Sequence, residues 1–233
     1  MDFPAMSQYL EKNGVKIDPS LEPKLALYAT LLAIWNERMN LTAITDPKAV
    51  YELHFLDCLL ALKGIDIKGK SVCDIGSGAG FPGMVFALFE PSAQVTLVDS
   101  TKKKFAFLQD IKEKLGVDNV TFHIGRVEDM REQREGFDLV CARGFAALPI
   151  FLEVAAPLAK KGGLLLAMKG KKADEELGAS KKAIDKLGLQ LFKDEELILP
   201  DSVETRRELF FEKKHPTPIK YPRPWKDVIA KPL

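Results

Sequence analysis

The chain is poor in several things that would narrow its chemistry at once. Its three cysteines, Cys58, Cys73 and Cys141, are odd in number, far apart and without C-x-x-C spacing, which argues against a disulfide framework and against a zinc site. A reducing cytoplasm is the expected setting, and no metal is expected. Neither charge is in excess: 34 Lys and Arg stand against 33 Asp and Glu, so a nucleic-acid partner has to be argued from local clusters. No apolar run approaches the roughly 20 residues that a bilayer crossing requires, and the opening MDFPAMSQYLEKNG is too charged for a signal peptide, so no membrane partner is expected. No internal repeat is present. What is present is 233 residues with 46% hydrophobic content, enough for one substantial domain with a core and an appendage.

Residues 1–62 read as a helical segment. Leu25, Tyr28, Leu32, Trp35 and Met39 recur at steps of three and four and share one helical face. Asp46-Pro47 has the form of an N-cap followed by a first-turn proline, opening a helix through about Leu62. From residue 70 the pattern changes. SVCDI, QVTLVD, VTFHI, FDLVCA and GGLLLAM alternate with helical intervals at 82–89, 102–115, 146–159 and 172–187. In the second interval Phe105, Leu108, Ile111 and Leu115 form the apolar stripe and Gly116 the stop. Such alternation predicts an α/β fold with parallel strands, right-handed crossovers and helices on both faces. LQLFKDEELILP and TRRELFFEKK then follow without a helix between them, which predicts a closing hairpin and one antiparallel strand. The expected divisions are a helical segment over 1–62, a core over 63–214 and a basic, proline-rich tail over 215–233 whose prolines disfavour regular structure.

The chemistry gathers at VCDIGSGAGFPG, residues 72–83. Glycines after a strand let a ligand lie on backbone N–H groups, and Gly78-x-Gly80-x-x-Gly83 fits the dinucleotide fingerprint. In open parallel sheets the ligand sits beyond the carboxyl ends of the strands. Asp74 ends the first strand, and its charge would repel a pyrophosphate while suiting a cationic ligand such as S-adenosylmethionine. Asp99 ends the second strand, sixteen residues after Gly83, where it can accept both hydroxyls of a ribose. After the third strand, Val127 and Glu128 are placed beside an adenine ring.

DIGSGAGFPG, LVDSTKKKFAFL, GRVED, CARGFAAL, AMKG, NLTAI and HFLDCL together resemble the RsmG (GidB) family of bacterial small-subunit ribosomal RNA guanine-N7 methyltransferases, over about residues 35–225. The resemblance implies a Rossmann-like class I methyltransferase with a seven-stranded, mostly parallel sheet. It implies S-adenosyl-L-methionine contacts at Gly76, Phe81, Val127, Glu128 and Arg143, with Asp99, Ser100 and Thr101 along the ribose; Gly78 joins them from the loop. It also implies the partner, small-subunit rRNA or the ribosomal subunit, and the target, guanine N7. The chain departs from the family in having Leu53 before His54, where Arg-His is usual, and in lacking a glycine between Tyr221-Pro222-Arg223 and Lys231-Pro232-Leu233.

The residues agree with that chemistry. Methylation at pyrimidine C5 needs a thiolate, and Cys141, on the fourth strand, lacks a neighbouring proline and reads as a buried small hydrophobe. An exocyclic amine usually calls for an Asp/Asn-Pro-Pro-aromatic loop, and CARGFAAL is not one. Guanine N7 carries an in-plane lone pair and loses no proton, so no proton-transfer residue is expected; alignment suffices, worth about 7–11 kcal/mol in favourable cases. Arg143, directly after the fourth strand, is placed to bind the methionine carboxylate or guanine O6. Lys169 is a candidate for the RNA backbone, and His54 with Asp57, one turn apart, for a face towards the pocket. His123 reads as structural and His215 as solvated. Lys102–Lys104, Lys171–Lys172, Lys181–Lys182, Arg206–Arg207 and Lys213–Lys214 supply local basic character. A monomer is expected. Three other readings stay open: a methyltransferase of a small molecule or a protein, an NAD-linked oxidoreductase using Gly78, Gly80 and Gly83, and a non-catalytic RNA-binding module.

Overall fold

The seven strand-like runs become one sheet in the computed structural model, which describes residues 1–233. The strands are β1 (Ser71–Ile75), β2 (Gln94–Asp99), β3 (Val120–Ile124), β4 (Phe137–Arg143), β5 (Ala159–Lys169), β6 (Leu189–Ile198) and β7 (Thr205–Lys213), in the order β3-β2-β1-β4-β5-β7-β6. β1 to β5 run parallel, whereas β7 is antiparallel to both β5 and β6. The chain turns back on itself between β1 and β4, so the crevice in which open sheets bind ligands lies beyond the carboxyl ends of those two strands.

The central strands are near-continuous apolar runs because both faces are covered. Val72, Leu97, Leu139 and Leu166 join the core on one face; Cys73, Val98, Val140 and Leu165 join the core on the other. The first core includes α1 (Phe3–Lys12), α2 (Glu22–Met39), α3 (Pro47–Val50), α4 (Asp57–Leu60), α5 (Gly83–Phe89) and α6 (Lys102–Leu115). The second includes α7 (Leu148–Ala155) and α9 (Lys181–Leu187), which follows α8 (Ala173–Ala179). The division expected at residue 62 therefore does not separate two cores: the N-terminal segment completes one face of the sheet.

That segment also shapes the glycine loop. On α2, Leu25, Tyr28 and Leu32 are buried as their spacing predicts, and half-buried Trp35 donates from Nε1 to Asp110 on α6 at 2.8 Å. Tyr28 is wholly buried, stacks on Phe81 at 5.4 Å and donates its hydroxyl to the carbonyl of Ala79 at 2.6 Å. A Cβ on Gly80 would stand 2.5 Å from that hydroxyl, so the glycine is dictated by close approach to α2. Burying a side chain of this size is worth roughly 1.5–3 kcal/mol, and here it also fixes the loop.

Asp46 caps α3 as expected, accepting from Ala49 N–H at 2.7 Å. The helix then widens into a π-helical stretch, Tyr51–Leu56, before α4. The interval expected at 172–187 breaks at Ser180, whose hydroxyl bonds back to the Glu176 carbonyl, a local competitor with helix continuation. The interval at 146–159 is shorter than expected, because β5 already begins at Ala159. The tail differs most. Its prolines were expected to keep it irregular, yet α10 (Trp225–Ala230) forms, and Tyr221 and Val228 are buried against the second core face.

Candidate active site

Asp74 does not face the crevice. It is wholly buried beneath the glycine loop, and its Oδ2 accepts the N–H of Gly83 at 2.9 Å. A Cβ on Gly83 would lie 2.4 Å from Leu97 Cδ2 and 2.7 Å from Asp74 Cβ, which explains the glycine by packing alone. Burial, partly offset by the Gly83 N–H, pushes the Asp74 carboxyl up to about 7, and Oδ1 has no partner. The expectation that this charge meets a cationic ligand is thus corrected. The Gly83 N–H at the start of α5 is thereby engaged within the protein.

A cleft of about 280 Å³ opens beyond β1 and β2, lined by Gly76, Asp99, Ser100, Thr101, Val127 and Glu128 among others. Asp99 organises its floor. Oδ1 accepts Thr101 N–H at 2.8 Å; Oδ2 accepts Gly78 N–H and the Lys104 ammonium, each at 3.1 Å. Burial opposes the charge, but the Thr101 N–H and Lys104 outweigh it, and the carboxyl sits below its ordinary range. Gly78 therefore acts through Asp99 and does not line the cleft itself. At Gly76 a Cβ would strike the Phe145 ring at 2.7 Å, so bare backbone is required on that wall. Phe145, Arg126, Lys104 and Trp225 line the cleft too; the first three lie inside motifs quoted for the family resemblance, and Lys104 in a basic cluster, but none was assigned to the cleft, and Trp225 lies in no such motif.

A second pocket, of about 340 Å³, gathers His54, Asp57, Arg143 and Lys169 from the π-helical stretch, α4, β4 and β5, and shares Gly144 with the first cleft. Arg143 belongs to this pocket and not to the cleft. Its guanidinium donates to the Leu53 carbonyl at 2.8 Å, to Asp57 Oδ2 at 3.0 Å and to His54 Nδ1 at 2.7 Å, and lies 5.0 Å from the centroid of the Phe81 ring. Phe81 is buried behind the pocket, stacked on His54 at 4.3 Å, and lines neither chamber. Because Arg143 can only donate, His54 Nδ1 accepts, and Nε2 carries the proton towards Thr42 Oγ1 at 3.0 Å. Burial, then Arg143, lowers His54 to about 3, so the ring is neutral. Arg206 completes the group from β7, its Nε donating to Asp57 Oδ1 at 3.1 Å. A π-helical turn at such a place is common at functional sites.

Several basic residues are spent internally. Lys169 pairs with Glu176 at 2.8 Å and donates to the Ala146 carbonyl, and Arg207 pairs with Asp194. Lys213 is wholly buried against Glu135 and the Ala159 carbonyl, which removes it from the expected basic rim. Lys102 and Lys103, between Thr101 and Lys104 of the cleft, and Lys171 and Lys172, after Gly170 of the pocket, are exposed, as is Arg126 of the cleft. Cys141 is wholly buried in β4, with its thiol pushed far up by desolvation, the condition of a packing residue and not of a nucleophile. His123 is half-buried in β3, as its position in the strand predicts. No helix is long and apolar enough to cross a membrane.

The strand order gives the chain the Rossmann-like fold of class I methyltransferases. Solved structures similar to this chain include M. jannaschii TYW2 in complex with AdoMet, at a TM-score of 0.52 and 17% identity over 64% of this chain and 71% of that one. Another is a SAM-dependent methyltransferase from Aquifex aeolicus, with a TM-score of 0.55 and 20% identity, covering 71% of this chain and 93% of that one. Residues 21–199 match the model of the GidB family, rRNA small subunit methyltransferase G. Proteins named ribosomal RNA small subunit methyltransferase G are similar along nearly the whole chain. The one from Bacillus pumilus is 39% identical over 96% of this chain and 95% of its own length. The one from Lactobacillus delbrueckii subsp. bulgaricus is 41% identical over 97% of this chain and 98% of its own length. The chain belongs to the rRNA small subunit methyltransferase G family, and so to the methyltransferases of small-subunit ribosomal RNA that draw their methyl group from S-adenosylmethionine.

Proposed function

We propose that this chain methylates N7 of a guanine in small-subunit ribosomal RNA, with the cofactor in the Asp99 cleft and the base in the Arg143 pocket. The observation that carries the reading is the second pocket's state. Burial and Arg143 lower His54 to about 3, with Nδ1 taken by the Arg143 guanidinium, and although burial raises the Asp57 carboxyl, both of its oxygens are engaged by Arg143 and Arg206, so neither residue offers a free basic atom. A pocket of this kind suits an acceptor atom that has no proton to lose.

The residues fit S-adenosylmethionine: Asp99 is ionised for the ribose hydroxyls, Val127 and Glu128 border the adenine end, and Gly76 leaves its wall free of a side chain. When bound, the cofactor supplies an activated methyl group on a positively charged sulfur. Arg143, immobilised by Leu53, Asp57 and His54, offers a rigid donor to guanine O6, which leaves the lone pair of N7 free to attack the methyl group. Exposed Lys102, Lys103, Lys171 and Lys172 give the RNA backbone a salt-sensitive footing. The base has to leave its stack to enter, at a cost of a few kcal/mol, which the phosphate contacts offset. The protein acts in this reading as a cytoplasmic monomer without a metal.

Incubation with methyl-labelled cofactor and unmodified small subunits, followed by digestion to nucleosides, tests the reading. Label is expected in 7-methylguanosine; label confined to methylcytidine or methyladenosine would overturn it.

A further inference from the structure

The C-terminal segment reaches back to the cofactor cleft and contributes an aromatic wall to it. Trp225, the first residue of α10, lines the cleft beside Phe145, with ring centroids 6.1 Å apart and planes inclined at 50°. The Arg126 guanidinium stands 5.7 Å from the indole, at the end of the cleft where Val127 and Glu128 also lie. An indole placed there has a purpose only if the segment carrying it is fixed, and the fixings are specific. Arg223 donates from Nε to Glu153 Oε1 at 2.7 Å and from Nη2 to Oε2 at 2.6 Å, and its backbone N–H donates to Oε1 at 3.0 Å. Glu153 is wholly buried on α7, so this fork is an anchor and not a surface ion pair. From the other side Arg134 donates to the carbonyls of Tyr221 and Thr217. Buried Tyr221 and Val228 close the attachment.

We propose that Trp225 is a positioning residue for the cofactor: it closes the adenine end of the cleft, where a purine would lie against the indole, and the tail is thereby part of the binding machinery. This rests on the cofactor named in the reading above, not on the RNA target. A flat apolar face beside Val127 and Glu128 favours an aromatic heterocycle over an aliphatic group, because stacking rewards a π surface whatever its substituents. Arg126, on the indole, holds the ring by a cation–π contact.

The test uses the full chain and S-adenosylhomocysteine, so that no turnover is needed. In calorimetric titrations Trp225→Ala is expected to weaken binding about tenfold or more, and Trp225→Phe to stay within about threefold of the parent, as aromatic stacking predicts. The chain has two tryptophans, and Trp35 lies on α2 against Asp110, outside the cleft. The ligand is therefore expected to change the indole emission of the parent and leave that of Trp225→Phe unaltered. Parent-like affinity in Trp225→Ala, or no recovery in Trp225→Phe when urea midpoints agree, would overturn the inference. Failure of the parent itself to bind S-adenosylhomocysteine would instead overturn the cofactor reading.

Discussion

Replacing Asp74 by Asn separates the buried role assigned to this carboxyl from a ligand-facing one. The folded protein holds it at about 7 against an ordinary 3.8, so it favours the protonated form more than the unfolded chain does. The stabilisation from this proton is complete below the unfolded value and is lost as pH rises through about 7. Between about pH 5 and about pH 8.5 the loss integrates to roughly 2–3 kcal/mol. Asn keeps an oxygen for Gly83 N–H and carries no charge; its amide leaves a donor in place of the unpartnered Oδ1, at a cost of roughly 1–3 kcal/mol that does not vary with pH. The difference between the two proteins, read from urea unfolding at both pH values, should therefore shift in favour of Asp74→Asn by roughly 2–3 kcal/mol on going to the alkaline condition. The comparison of two pH values cancels the constant cost. A difference that is the same at both would mean that Asp74 ionises normally, and would refute the reasoning.

Asp57→Ala leaves the Arg143 and Arg206 guanidiniums without their shared partner; urea unfolding should show a loss of about 3 kcal/mol, the lower end expected for a broken buried pair because Arg206 is partly exposed. Asp99→Asn should weaken S-adenosylhomocysteine binding about tenfold or more by calorimetry, and should also cost roughly 1–3 kcal/mol in urea unfolding, since an amide nitrogen would replace one of the two oxygens that accept from Gly78, Thr101 and Lys104 at the cleft floor. Gly83→Ala should cost about 1–3 kcal/mol in the same unfolding assay, because its methyl would meet Leu97 and Asp74 well inside contact distance.

The sheet was legible because its signals are local. Strands buried on both faces read as apolar runs, and α6 announces itself through Phe105, Leu108, Ile111, Leu115 and the left-handed Gly116 that ends it. The cleft's acids were legible as positions but not as orientations. Asp74 is the last residue but one of β1 and Asp99 the last of β2, and one turns under the loop to Gly83 while the other binds Lys104 at the cleft floor; neither partner is encoded by spacing. Lys213 looked like one more surface cation and is buried, with Glu135 of the loop before β4 and the Ala159 carbonyl as its partners. Trp225 carried no signal at all: its neighbours are prolines and charges, and the long-range contacts of Arg223 with Glu153 and of Arg134 with Tyr221 and Thr217 bring it to the cleft.

Gly144 lines both the Asp99 cleft and the Arg143 pocket, and it has a left-handed φ of 63° with open space where a side chain would begin. A side chain here would enter open space but would require a left-handed backbone, so glycine is favoured at the border of the two chambers by its conformation and not by lack of room.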